Sequence, residues 1–146
     1  MTRPEDHGAL ALSMIQGQEG NQRKDLNRLI DWIRGEELPD VVCLSNALLL
    51  GLGVSIKQQL QIPVVVTLQG EDSFLDALHN PWAECCWESL REAANSMDAF
   101  FPVSNYHGKL MRERLALPQS KVFTLYNGID LDSFSPRVDL PNPPVV

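Results

Sequence analysis

Apolar positions fall along this chain in two spacings that alternate. Leu26, Leu29, Ile30 and Ile33 recur at the i, i+3, i+4, i+7 interval of one helical face. Asn21 stands where an N-cap belongs, and Gly35 and Pro39 close the segment. Asp40–Leu44 is instead a short apolar run, as is the stretch from Ile62 that stops at a polar, glycine-bearing turn ending in Asp72. Runs so short, without alternation, fit strands buried on both faces. Pro63 suits a first strand position, where a ladder donor can be spared. Asn46 can cap a helix running to about Leu60. Pro81 suits the first position of another, with the stripe Trp82, Cys85, Cys86, Leu90, Ala93 and Met97. Ala99–Val103 reads as a strand, Ser104 as the cap of a helix through Leu115, and Lys121–Tyr126 as a last strand. Residues 9–15 read as either a helix end or a strand; Leu10 and Met14, four apart and followed by Gly17, favour the helix.

The order is therefore helix, strand, four times over. Such alternation predicts an α/β fold: a Rossmann-like parallel sheet with right-handed crossovers and helices on both faces. Ligands of open parallel sheets bind beyond the carboxyl ends of the strands. Two polar turns would emerge there, Ser45-Asn46 and Gln69-Gly70-Glu71-Asp72.

Composition narrows the class. The chain has 146 residues, 44% of them hydrophobic, enough for one domain with a real core. A net charge of −7 argues against a nucleic-acid partner, which requires clustered Lys and Arg. Residues 1–8 are polar and lack the apolar core of a secretion signal, and 41–54 is too short to span a bilayer, so a cytoplasmic location is expected. The three cysteines, Cys43, Cys85 and Cys86, form neither a disulfide framework nor a metal spacing, and are expected to be small buried apolar residues.

Most chemical motifs have a bland reading that outweighs the functional one. Gly51-Leu-Gly53 lacks the third glycine of a dinucleotide fingerprint and lies inside a helical pattern, so close packing is the better reading. Asp130-Leu131-Asp132 has the spacing of a metal-holding pair, yet so short a pattern arises often by chance. His79 reads as a loop residue, and His107 as exposed at a helix start. Glu71-Asp72 is the better candidate. Its carboxylates either accept hydrogen bonds from sugar hydroxyls or cap the element that follows. No catalytic residue, cofactor or metal is assigned.

Tyr126-Asn-Gly-Ile-Asp-Leu-Asp-Ser-Phe-Ser-Pro136 resembles the signature that closes the amino-terminal domain of family 4 glycosyltransferases, which have the GT-B architecture of two Rossmann-like domains. Asn127-Gly128 would form a tight positive-φ turn, Phe134 an anchor, and Pro136 the start of an extended connection. Pro39–Asn46, Pro63–Asp72 and Asp98–Ser104 resemble the same family in the same order. The resemblance implies a partial GT-B amino-terminal domain over 1–136, followed by an interdomain linker over 137–146, where prolines cluster. It implies a retaining, metal-independent hexosyltransferase-type enzyme that uses a sugar nucleotide donor and a glycan or lipid acceptor. Acceptor binding would fall to Ser45, Asn46, Gln69, Gly70, Glu71 and Asp72, and the interdomain cleft to Ser104, Asn127 and Gly128.

Set against the family pattern, the chain lacks an opening strand with a glycine-rich loop, and a second domain to hold the donor diphosphate. A fragment truncated at both ends and inactive alone is expected. Gln69 stands where many relatives carry His; it keeps a donor and an acceptor but cannot shuttle a proton near neutral pH. The alternative is a non-enzymatic α/β interaction module or gene remnant. In either case an exposed edge on the Asp40–Leu44 strand predicts self-association.

Overall fold

The structure is a computed structural model, and it describes residues 7–133. In chain order the helices and strands are α1 (Gly8–Ile15), α2 (Arg23–Gly35), β1 (Val42–Leu44), α3 (Leu50–Leu60), β2 (Val64–Leu68), α4 (Glu71–Asp76), α5 (Trp82–Ala94), β3 (Ala99–Pro102) and α6 (Asn105–Arg114). The three strands form one parallel sheet in the order β1-β2-β3. The chain is thus Rossmann-like α/β, as its periodicity predicts. Three helix starts differ in detail from the sequence reading. Pro81 precedes α5 in the N-cap position instead of opening it. The α2 helix begins beyond Gln22, not Asn21, because the Asn21 N–H donates to the Ser13 hydroxyl. The Asn46 cap holds a 3-10 turn, Ala47–Leu49, that leads into α3.

The predicted last strand is only partly realised. Lys121 ends a 3-10 turn, and Val122 then makes an isolated parallel bridge to Phe100. The N–H groups of Phe123 and Leu125 donate to the carbonyls of Phe100 and Pro102, both at 2.9 Å. This segment therefore lies along the free side of β3 without a complete ladder.

Each successive strand is added on the same side of its predecessor. Right-handed crossovers must then place every connecting helix on one face of the sheet. That face carries Leu44, Val64, Val66, Leu68 and Phe100, all buried. The α3 helix reaches it at Gly53, which abuts Leu44 and Met97, and α6 reaches it at Gly108, which abuts Pro102. The Gly51–Gly53 pair thus serves packing: a Cβ at Gly51 would stand 2.4 Å from the Ile15 carbonyl oxygen. The α5 helix packs beside α3 and carries Cys86, Trp87 and Leu90 into the same core.

The other face differs from the expectation of helices on both. Among the described residues Cys43, Phe123 and Leu125 are exposed there, and Val65, Thr67, Ala99 and Phe101 are half-buried. The Phe101 and Phe123 rings meet with centroids 6.1 Å apart. Covering this face would take a strand added on the opposite side of β1, which alone reverses the direction of winding. Cysteine burial follows the same asymmetry. Cys86 is buried as expected, Cys85 is intermediate and Cys43 is exposed, all three as free thiols.

Candidate functional site: the carboxyl ends of the strands

The β2 strand ends at Leu68, and its turn is closed by one carboxylate. Gly70 has φ +118°, a conformation open to glycine at little cost, and it directs the chain into α4. Glu71, the first residue of α4, folds back over that turn. Its Oε2 accepts hydrogen bonds from the Gln69 and Gly70 N–H groups, each at 2.9 Å. Its Oε1 accepts from the Ala47 N–H at 2.8 Å. Ala47 opens the helical segment after β1, so its amide has no partner within the helix. Glu71 supplies that partner across the sheet edge, while Asn46 serves the Leu48 N–H at 3.0 Å. One buried carboxylate therefore joins the turns after β1 and β2. Glu71 does not cap α4, the element that follows it; it serves the turn before it and the start of the segment after β1.

Neighbouring side chains reinforce the junction. The Thr67 hydroxyl donates to the Ser45 carbonyl at 2.8 Å, and the Gln69 Nε2 donates to the same oxygen at 3.0 Å. Ser45 and Gln69 are exposed, Asn46 is intermediate, and Asp72 keeps its side chain partly accessible. The accessible polar groups at this edge are thus a hydroxyl, two carboxamides and one carboxylate.

From β3 comes a residue that the sequence reading misplaced. Ser104 caps α6 as expected, accepting from the His107 N–H at 3.1 Å. His107 is buried, not exposed. A capping serine holds the third helical residue close to the cap, and here that residue faces α4. Its Nε2 lies 3.6 Å from Glu71 Oε2 and its Nδ1 3.6 Å from Asp72 Oδ1. The Ser-x-x-His spacing was the available signal; the approach of α4 that buries the ring was not readable from it. His79 is an exposed loop residue, as read.

Two expected site residues do not join this cluster. Asn127 and Gly128 are exposed and form no hydrogen bond with it among the described residues. Nor does the pair form the positive-φ turn expected of it, since neither residue has a positive φ. Of Asp130 and Asp132, the first accepts the N–H of the second at 3.0 Å, a local turn that opens the 3-10 segment Leu131–Ser133. Phe134, Pro136 and the 137–146 linker lie outside the described residues. A groove of about 460 Å³ between α1, α3 and α5 includes Gln18, Ser55 and Glu92 and none of the expected site residues.

Residues 13–133 match the family model described as Glycosyltransferase Family 4. The chain belongs to that family. No curated protein and no solved structure matches it. For this family 4 domain the match spans all three strands and every residue of the Glu71 cluster. Family membership makes the chain a glycosyltransferase-type domain and carries with it, in general terms, a sugar donor and an acceptor. Among the described residues no helix is long and apolar enough to cross a membrane.

Proposed function

We propose that this family 4 domain provides the acceptor side of a retaining, metal-independent transfer from a sugar nucleotide to a glycan or lipid acceptor. In this reading residues 1–136 form the amino-terminal half of a GT-B enzyme and 137–146 the connection to its partner domain. The observation that carries the reading is the character of the edge beyond β1 and β2. Ser45, Asn46, Gln69 and Asp72 offer neutral donors and acceptors with one accessible carboxylate, a set matched to sugar hydroxyls and ill matched to a diphosphate. Gly70 keeps the approach to the turn low. Glu71 orients the turn through its three backbone bonds and contributes to acceptor binding at one remove. Ser104, Asn127 and Gly128 would border the interdomain cleft, where electrostatic stabilisation of the leaving diphosphate falls to the partner domain.

The test is amide NMR on the purified chain, titrated with simple glycosides and, separately, with sugar nucleotides. Glycosides are expected to shift Ser45, Gln69 and Gly70, and sugar nucleotides to leave those amides in place with no nucleotide released. Nucleotide release abolished by Gln69→Ala would overturn the proposal. A second reading, a non-enzymatic interaction module, is favoured by the edge of β1, which has no strand beyond it among the described residues. The soluble, cytoplasmic setting belongs to the same proposal.

A further inference from the structure

His107 is unusual among the buried polar groups of this domain. Its side chain is 10% exposed, and its Nε2 is fully buried with no hydrogen-bond partner among the described residues. Both ring nitrogens face carboxylate oxygens at 3.6 Å, Glu71 on one side and Asp72 on the other. A neutral imidazole carries one N–H and one lone pair. Either neutral tautomer would set a lone pair against a carboxylate in a buried place. Only a ring protonated at both nitrogens presents a donor to each. The two carboxylates come from α4, and neither pairs with a lysine or arginine among the described residues. On its own helix, Lys109 is exposed and Arg112 is bound to the Gln119 side chain. Among the described residues, the only cation available to this acidic pair is therefore the imidazolium of His107.

We propose that His107 is a positioning residue: as an imidazolium it ties α6 to the first turn of α4 and, through Glu71, fixes the Ala47, Gln69 and Gly70 amides. Losing the proton slackens the Glu71 junction, so the geometry of the sugar-facing turn is linked to pH. The ligand assignment rests on the acceptor-side reading above; the proton-linked junction does not, and is tested without any ligand.

The experiment is a pH series of nitrogen-15 NMR spectra on the whole chain, from about pH 5 to about pH 8, the span in which histidines ordinarily titrate. Both ring nitrogens of His107 are expected to show the protonated signature at the acid end. Their deprotonation should coincide with shifts of the Ala47, Gln69 and Gly70 amides. In His107→Phe those three amides should lose that transition, while the Lys57–Asp98 region keeps its wild-type spectrum. A ring neutral throughout the range would overturn the proposal, as would amides that titrate identically in the variant. Should the Phe variant fail to fold, the wild-type series alone decides, because ring and amides must titrate together. Glycoside titration at both ends of the range then separates the two claims. A proton-linked turn that binds no glycoside sinks the acceptor reading and leaves the junction standing.

Discussion

Glu71 shows how one side chain can be essential to a site without touching what the site binds. Its carboxylate replaces three backbone partners at once, and charge-assisted bonds of this kind contribute about 1.5–3 kcal/mol each. Glu71→Ala would leave the buried Ala47 amide without an acceptor and release the part-buried Gln69 and Gly70 amides, so a loss of about 1–3 kcal/mol is expected in urea unfolding. Gln69→Ala, at an exposed position, should change stability little and reduce glycoside-induced shifts instead. Gly70→Ala should cost about 1–3 kcal/mol, although a Cβ there meets no neighbour, because the strain lies in φ itself. The thiols offer a cleaner contrast. Burial, with a smaller contribution from the neighbouring Cys85, pushes the Cys86 thiol up to about 11. At neutral pH Ellman's reagent should therefore label exposed Cys43 rapidly and reach Cys86 only after denaturation.

Between elements, the junction that sets the register of β2 against β3 lies at the opposite end of the strands. Asp98 accepts from the Val64 N–H at 2.7 Å and pairs with Lys57, while its own N–H donates to the Val64 carbonyl at 2.9 Å. Lys121 holds the Asn95 and Met97 carbonyls from the other side, at 3.0 and 2.7 Å. Partial burial raises the Asp98 carboxyl. The Lys57 and Val64 hydrogen bonds and the charges of Lys57 and Lys121 outweigh it, so the group sits below the ordinary aspartate range. A depressed carboxyl contributes stability that is fully present above the unfolded-state value of about 4 and is lost as pH falls through the lower folded-state value. Acid unfolding of Asp98→Ala should accordingly be less steep than wild type in that window. Its stability at neutral pH should drop by about 1 kcal/mol, modest because the Lys57 pair is half-exposed and screened. At the other end of β3, Ser104→Ala should cost about 1 kcal/mol as a lost cap. It should also disturb His107, whose amide the serine holds.

For the molecule as a whole, the one-directional winding of the sheet has the largest consequence. It gathers α3, α5 and α6 on one face, and among the described residues it leaves an apolar face and the β1 edge open. Val41 beside that edge is 49% exposed. Unpaired edges of this kind template association. Light scattering is expected to show a species larger than a monomer at high protein concentration. Val41→Lys, a charge placed at the edge, should shift it back towards monomer, and a wild type that stays monomeric throughout would exclude association through this edge.

Local pattern alone determined the alternation of helices and strands, their parallel arrangement and the place of the polar turns after β1 and β2. These depend on the 3.6-residue period of helical faces, on short uninterrupted apolar runs, on caps such as Asn46 and Ser104, and on glycine and proline as breaks, all of which act over a few residues. The family resemblance was legible in the same short stretches. Tertiary structure decided what spacing cannot encode. Glu71 turns inward to serve an amide 24 residues away, and His107 is buried because α4 and α6 converge at a strand end. The Asn127-Gly128 turn does not form, as the segment from Val122 runs out along β3 and no strand lies beyond it, among the described residues, for a reversal to pair with. Which face of the sheet is covered followed from the side on which each strand was added. That is a property of the assembled sheet, and no stretch of sequence contains it.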